Sequence, residues 1–349
     1  MTLERNAANG PVVLGMGNPL LDISANVPQS LLDKYELKLN DAILAAEKHL
    51  PIYQELTTSF PVDYIAGGAT QNAIRICQWM MQKPNATAYI GSVGDDEFGK
   101  ILAERARSEG VAVHYHVEKD VPTGTCAVLV HDHERSLVAN LAAANCYKHE
   151  HLLQSDIEAV WSQAKIFYIA GFFLTVSPVS IMHLAKFAAA NGRTFVMNLA
   201  APFISEFFNG PLSEALPYCD IVIGNENESA AYAKVFNLED KTPEGVAAAI
   251  AALPLQSPKQ KQRIVIITQG AHPTIVYQNG AITKYPVPVV PEKELVDLNG
   301  AGDAFVGGLL AYLAEGKPLD QAIEAGHYCA GVVIRRSGCT VQGKPNFKA

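Results

Sequence analysis

Several short runs of the chain are apolar almost throughout, and helical patterns separate them. These runs are rich in aliphatic and β-branched side chains and lie at residues 12–15, 87–93, 165–170, 194–199, 220–223 and 263–268. A strand that is apolar on both faces has to be buried on both faces, so runs such as I-V-I-I-T predict parallel strands that helices cover. The sequence therefore predicts an α/β fold with a large, doubly wound, mostly parallel sheet.

Two stretches interrupt this alternation of strand and helix. Residues 22–66 alternate irregularly between apolar and polar side chains, and residues 112–142 have the pattern of extended segments with hairpins. We expect residues 22–66 and 121–142 to form a small, discontinuous, β-rich lid domain over the carboxyl edge of the large sheet. The large α/β domain then comprises residues 1–21, 67–120 and 143–349.

Charge and hydropathy narrow the possible partners. The formal net charge is -8 and Lys and Arg are not clustered, which argues against binding to nucleic acid or a membrane surface. The first residues show no signal-peptide pattern, and no apolar run approaches the roughly 18 residues of a membrane span. We expect a soluble cytoplasmic protein, with the nucleus as a second compartment left open, that binds small molecules.

The segment D-L-N-G-A-G-D at residues 297–303 runs directly into an amphipathic helix. Amides in the first turn of a helix have no internal partner, so the turn Gly300-Ala301-Gly302 can cradle an anion such as a phosphate. Asp303 places a carboxylate beside this cradle, where it could accept a proton from an attacking hydroxyl. The residues alone leave open a plainer interpretation, in which the glycines turn the chain and Asp303 caps the helix.

Other polar residues stand at the ends of predicted strands. G-G-A-T-Q-N at residues 67–72 is a second glycine turn that opens a helix. The carboxylate of Asp22 could accept hydrogen bonds from both hydroxyls of a vicinal diol such as a ribose. Asn225 and Glu228 in N-E-N-E-S follow the D-I-V-I-G strand and could hold hydrated Mg²⁺ or a phosphate. A tight turn, a surface acid and a helix cap are the respective alternatives.

Three other types of segment match known ligand-binding motifs only poorly. G-M-G-N-P-L at residues 15–20 lacks the third glycine of a dinucleotide-binding turn. The two segments that begin at Gly94 and Gly338 resemble phosphate-binding loops but have no Ser or Thr after the lysine. Each His-x-His pair supplies only two ligands, which do not complete a zinc site.

Taken in order, G-G-A-T-Q-N, G-S-V-G-D-D-E-F-G, N-E-N-E, I-T-Q-G and D-L-N-G-A-G-D-A-F resemble the ribokinase (PfkB) family of carbohydrate and nucleoside kinases. The further motifs G-N-P-L-L-D, P-T-G-T-C-A, N-L-A-A-P-F and R-R-S-G-C-T are similar to those of the members that phosphorylate adenosine. The likeness extends from about Val13 to Pro345 and implies a ribokinase-like fold.

The resemblance implies phosphoryl transfer from MgATP to the 5'-hydroxyl of adenosine, giving AMP as in purine salvage. It makes Asp303 the base, Gly300, Ala301 and Gly302 the anion hole, and Arg135 a lid residue that approaches the transferred group. Because a helix N-terminus stabilises an ionised carboxylate, we expect Asp303 to be a weak base that accepts its proton late. The same fold could serve another nucleoside or a sugar, or a catalytically silent nucleoside-binding protein.

The resemblance also assigns binding residues. Those matched to the nucleoside, ribose positions first and purine positions second, are Asn18, Asp22, Gly67, Gly68 and Asn72, then Leu20, Leu137, Ala139, Phe172 and Phe203. Those matched to the ATP side are Asn225, Glu228, Thr268, Gly270, Asn299 and His327. Glu228 would hold Mg²⁺ through water. Leu298 departs from the threonine that is usual in the family, which leaves a monovalent-cation site unassigned. The likeness to adenosine-phosphorylating members favours a monomer.

Overall fold

The computed structural model describes residues 10–39, 42–131, 134–257 and 262–347. In chain order the strands are β1 (Val13–Met16), β2 (Leu20–Asn26), β3 (Ala42–Leu44), β4 (Asp63–Gly67), β5 (Thr87–Gly94), β6 (Ala112–Glu118), β7 (Thr125–His131), β8 (Glu134–Asn140), β9 (Ile166–Ala170), β10 (Thr194–Asn198), β11 (Ile221–Asn225), β12 (Ile264–Gln269), β13 (His272–Gln278) and β14 (Ala281–Tyr285).

Helices occupy most of the segments between these strands. The α-helices are α1 (Gln29–Lys34), α2 (Pro51–Ser59), α3 (Ala69–Met81), α4 (Glu97–Ser108), α5 (His149–Leu152), α6 (Ser155–Trp161), α7 (Pro178–Ala190), α8 (Pro202–Phe207), α9 (Asn209–Ala215), α10 (Glu226–Val235), α11 (Pro243–Ala252), α12 (Ala301–Ala314) and α13 (Leu319–Val333). Short 3₁₀ helices lie at Glu47–His49, Ala142–Cys146, Gly171–Thr175, Leu216–Tyr218 and Glu292–Glu294. Within the described ranges, no helix is long and apolar enough to cross a bilayer.

The larger sheet has the strand order β14-β13-β12-β11-β10-β9-β1-β5-β6. Its strands from β12 to β6 pair in parallel, and β13 and β14 extend one edge as antiparallel strands. The apolar runs that predict strands become β1, β5, β9, β10, β11 and β12, which are adjacent in the sheet. The predicted doubly wound α/β fold is confirmed.

Alternate residues of each central strand enter two different cores. In β1, Val13 packs with α3 and α12 residues on one face of the sheet, whereas Leu14 packs with α7 residues on the other. Since both faces are covered, an alternating polar pattern would leave buried polar groups unpaired, and the strands are apolar throughout.

The smaller sheet has the order β3-β8-β7-β2-β4 and draws on two separated parts of the chain. Helices α1 and α2 bury Leu32 and Ile52 against one of its faces. The predicted smaller β-rich layer is therefore confirmed, while the exact division into domains stays a prediction. The hairpin interpretation of residues 112–118 is wrong, because this segment forms β6 and pairs in parallel with β5 in the larger sheet.

Candidate active site

A cleft separates the smaller sheet from the carboxyl ends of the central strands of the larger sheet. Both sheets contribute to its lining: Leu20 and Leu137 come from the smaller one, and Ala170 and Asn225 end strands of the larger one. Ligands of doubly wound folds bind at this edge of the sheet. The predicted site residues that line the cleft are Asn18, Leu20, Asp22, Gly68, Asn72, Leu137, Ala139, Phe172, Phe203, Asn225, Glu228, Thr268, Asn299, Gly300, Gly302 and Asp303.

The first turns of α3 and α12 meet at the floor of the cleft. Asn72 Nδ2 donates a hydrogen bond of 3.0 Å to Asp303 Oδ2, across 231 positions of sequence. Both glycine turns that open these helices line the same cleft. The fold thus brings together the two glycine motifs that stand far apart in the sequence.

The amides at the start of α12 are free to bind an anion. Gly300 is the N-cap, and the amides of Gly302 and Asp303 donate to no acceptor in the described part of the chain. Ala301 N donates only weakly, at 3.4 Å, to the carbonyl of Leu298. Because such amides lie at the positive end of the helix dipole, this turn can hold a phosphoryl group.

Three carboxyl groups of the cleft have raised pKa values. Burial raises the pKa of Asp303 to about 7, and the hydrogen bond from Asn72 opposes the rise. Burial likewise raises the pKa of Glu228 to about 7. The pKa of Asp22 also rises to about 7 through burial, although Arg135 and Arg75 pull it down.

The raised pKa of Asp303 corrects one expectation from the sequence. The helix start predicts a weakly basic Asp303, whereas loss of water around the buried carboxylate raises its pKa. A carboxyl group with a pKa near 7 is a better proton acceptor at neutral pH than an exposed one.

Asp22 and the Gly67-Gly68 turn form the polar end of the cleft. Gly68 has a φ of 93°, and a Cβ atom there would overlap the carbonyl oxygen of Asn18. A Cβ atom at Gly67 would overlap the Asp22 carboxylate, so both positions require glycine. Asn18 Oδ1 is buried and has no hydrogen-bond partner among the described residues. These free acceptors suit the hydroxyl groups of a sugar.

Apolar side chains also line the cleft. Phe172 and Phe203 lie with their ring centroids 6.0 Å apart at an interplanar angle of 42°. Leu20, Leu137 and Ala139 line the same cleft from the smaller sheet. These aromatic and aliphatic side chains suit contact with an aromatic base.

Asn225 and Glu228 form a capping box at the start of α10. Glu228 Oε2 accepts from Asn225 N at 2.9 Å, Glu228 Oε1 accepts from Asn225 Nδ2 at 2.8 Å, and Asn225 Oδ1 accepts from Glu228 N at 2.9 Å. The capping alternative is therefore real, yet both residues also line the cleft. Each carboxylate oxygen keeps one lone pair for a further donor, such as a water on a cation.

Five predicted residues do not line the cleft. Gly67 lies behind Asp22, Ala301 turns away, and Gly270 occupies the β12–β13 turn. His327 is buried, with Nε2 2.8 Å from Thr274 Oγ1. Their proposed roles stay predictions.

Arg135 is the fifth of these residues, and it is bound elsewhere in this structure. Its Nε lies 2.7 Å from Asp297 Oδ1, and its Nη2 donates to Ser337 Oγ at 2.9 Å. Asp297 Oδ2 in turn accepts from Gly338 N at 2.7 Å. The arginine thus joins β8 of the smaller sheet to loops of the larger layer, and its approach to a phosphoryl group stays a prediction.

Several residues of the lining were not predicted from the sequence. Thr70 lies on α3, and its hydroxyl accepts from Ala170 N at 3.0 Å, which fixes the end of β9 beside the cleft. Asn198 lies in the quoted motif N-L-A-A-P-F, which was a usable signal. Ile43 and Leu44 come from a short strand without a distinctive pattern, and only the assembled sheet places them.

The fold and the anion-binding cleft are those expected of a carbohydrate or nucleoside kinase. A comparison with known families gives the same class of enzyme. The model of the pfkB family carbohydrate kinases matches residues 29–346. The chain belongs to this family.

Three individual proteins to which this chain is similar are adenosine kinases. The chain is 52% identical to adenosine kinase 1 of Arabidopsis thaliana over 336 residues, which cover 96% of this chain and 97% of that protein. It is 46% identical to the adenosine kinase of Dictyostelium discoideum, over 94% of this chain and 96% of that protein. The crystal structure of Anopheles gambiae adenosine kinase with P1,P4-di(adenosine-5) tetraphosphate superposes with a TM-score of 0.93 at 47% identity, covering 97% of this chain and 100% of that one.

Proposed function

We propose that the chain transfers the γ-phosphoryl group of ATP to the 5'-hydroxyl of adenosine and releases AMP and ADP. The observation that carries this proposal is the contact between Asn72 and Asp303 beside the free amides of α12. The surrounding cleft is lined by polar acceptors that suit a sugar and by apolar side chains that suit a base. Adenosine kinases that match nearly the whole chain support the choice of nucleoside.

Within this proposal, positioning and electrostatics do most of the chemical work. The 5'-hydroxyl of the nucleoside would lie next to Asp303, which accepts the proton as the new ester bond forms. The amides of Gly302 and Asp303 stabilise negative charge on the transferred group. Phosphoryl transfer has a loose transition state, so a moderately basic carboxylate is sufficient.

Mg²⁺ fits the residues on the ATP side of the cleft. Mg²⁺ usually keeps several waters and binds through one or two carboxylates together with phosphates. Glu228 supplies such a carboxylate and Asn225 orients it, whereas no group of three ligating side chains occurs among the described residues. Bound Mg²⁺ would neutralise phosphate charge, and Glu228 would hold it through water.

The smaller sheet excludes water from the reaction in this proposal. Leu20, Leu137 and Ala139 of that sheet face the cleft of their own chain, so a nucleoside bound there would be covered without a second subunit. A monomer is therefore part of the proposal. We also propose a cytoplasmic location, with the nucleus as a second compartment left open; sedimentation velocity tests the first point and imaging of a fluorescent fusion the second. ATP hydrolysis that is as fast without nucleoside as with it would contradict the water exclusion.

A direct comparison of substrates tests the function. We expect kcat/KM for adenosine to exceed those for ribose and fructose, which have no base to contact the apolar side chains of the cleft. It should also exceed that for inosine, because the similar proteins are adenosine kinases. A higher kcat/KM for another nucleoside or a sugar would favour the alternative within the family. Absence of turnover with intact adenosine binding would instead indicate a silent binding protein.

A further inference from the structure

A buried arginine lies directly behind the Asn72–Asp303 pair. Arg75 is one turn further along α3, and its Nη1 donates to Asn72 Oδ1 at 3.3 Å and to the carbonyl of Ala66 at 2.6 Å. Its Nε and Nη2 donate to the two carboxylate oxygens of Glu109, each at 2.7 Å. The bidentate pair with Glu109 fixes the plane of the guanidinium.

This arrangement decides which end of the Asn72 amide faces Asp303. The two ends of an amide have nearly the same shape, but one only accepts hydrogen bonds and the other only donates. A guanidinium only donates, so Arg75 requires the oxygen of Asn72 to face it. The NH₂ group of Asn72 then has to face Asp303, which accepts it at 3.0 Å.

We propose that Arg75 is a positioning residue for the transfer reaction, because it holds the Asn72 amide in the one orientation that donates to Asp303. The inference rests on the proposed function, in which Asp303 accepts the proton. Arg75 itself does not line the cleft and touches no reacting atom. Its effect on Asp303 passes through Asn72.

The proposal predicts a specific change in pH dependence. Without Arg75 the amide of Asn72 can turn, and the ionised form of Asp303 loses the hydrogen bond that now lowers its pKa. A lost hydrogen bond of ordinary strength corresponds to about one pH unit. In the pH profile of the single-turnover rate, the acid limb should move to higher pH by this amount. At pH values below the limb, the rate then falls roughly tenfold.

Several charged or titratable groups also face Asp303 and must be considered. They are Asp22 from β2, Glu228 from α10, Tyr168 from β9 and Cys339 from the segment after α13. The positive charge of Arg75 also lowers the pKa of Asp22 through space. A shift of the limb in one variant would therefore not by itself prove positioning.

A double-variant cycle distinguishes an effect of Arg75 that passes through Asn72 from a through-space effect of its charge. We compare wild type, Arg75→Met, Asn72→Ala and the double variant by single-turnover rates with adenosine from pH 5 to 9. If Arg75 acts through Asn72, Arg75→Met shifts the limb in the wild-type background and adds no shift to Asn72→Ala. An equal shift in both backgrounds would overturn the proposal in favour of a through-space effect, and no shift in either would overturn it outright.

Arg263→Met is the matched control for general destabilisation. Arg263 is also fully buried and donates to the carbonyls of Cys219, Ile250 and Leu216, but it precedes β12 at the edge of the sheet away from the cleft. This variant should lower the melting temperature and leave the acid limb in place. If Arg75→Met does not fold because Glu109 loses its partner, adding Glu109→Gln removes the unpaired charge, and an unshifted limb in that double variant would equally overturn the proposal. Lack of adenosine turnover in the wild type would refute the proposed function instead.

Discussion

Replacing Asp303 by asparagine should remove turnover and, at the same time, make the ligand-free protein more stable above neutral pH. The carboxyl group is buried, and burial raises its pKa from 3.8 to about 7. The folded state therefore holds its proton more tightly than the unfolded state, and folding is penalised wherever the unfolded carboxyl group is ionised. The penalty begins near pH 4, grows until about pH 7 and stays constant above it.

The size of this penalty follows from the shift. One pKa unit corresponds to about 1.4 kcal/mol, so a shift of about three units gives on the order of 4 kcal/mol at pH 8 and roughly 1.6 kcal/mol at pH 5. An amide at position 303 carries no charge, and its carbonyl oxygen can still accept from Asn72. The stability gained by Asp303→Asn should therefore be greater at pH 8 than at pH 5.

Urea unfolding of wild type and Asp303→Asn at both pH values measures the effect, and thermal unfolding should show a gain of roughly 5 °C at pH 8. Asp63→Asn makes the same chemical change at an exposed carboxylate and should alter stability little at either pH. The reasoning is refuted if Asp303→Asn is no more stable than wild type at pH 8, or if its gain is the same at pH 5. Turnover near the wild-type rate would separately refute the role of Asp303 as base.

Three further substitutions test other parts of the site. Phe172→Ala should raise KM for adenosine roughly 10- to 100-fold and leave KM for ATP nearly unchanged, since the proposal puts the adenosine base beside this ring; steady-state kinetics with each substrate varied decides this. Arg135→Met leaves the buried Asp297 without its cationic partner and should cost about 3–5 kcal/mol in urea unfolding. Adding Asp297→Asn removes the charge and keeps an oxygen that can accept from Gly338 N, so it should restore part of the stability but not turnover if Arg135 also serves the phosphoryl group. Leu298→Thr should change kcat less than about twofold, with or without K⁺, because Leu298 is 60% exposed and lies outside the cleft; a larger gain with K⁺ would show that the leucine had removed a cation site.

The central sheet was predictable because its strands are buried on both faces. β9 and β11 are almost entirely apolar, and no other local structure explains such short runs between helices. β14 is exposed along most of its length, so it has no buried face to give the apolar run that marks the central strands. β6 carries histidines and a glutamate at the sheet edge, which is why its sequence resembles a hairpin rather than a parallel strand.

The site was predictable where glycines and acids stand at helix starts. Gly68 and Asp303 occupy such positions, and the need for free amides or a close backbone approach restricts the residue type. Arg75 gives no comparable signal, since an arginine within a helix is usually exposed. Its partners are 9, 34 and 264 positions away in sequence, and only the assembled fold brings Ala66, Glu109 and Cys339 around it.

Two of the links between the two sheets contain Asn18 and Gly68, which are among the residues matched to the sugar. Residues 17–19 lead from β1 to β2, Gly68 leads from β4 to α3, and the carbonyl of Asn18 lies against Gly68 where the two links cross. Any rotation of one sheet against the other must therefore change backbone angles inside the binding site. Mutations that adjust affinity for the sugar and mutations that adjust opening of the cleft cannot be chosen independently here. An engineered enzyme with a faster opening step would have to gain it at the other two links, between β6 and β7 or after β8, where the chain holds none of the residues assigned to the sugar.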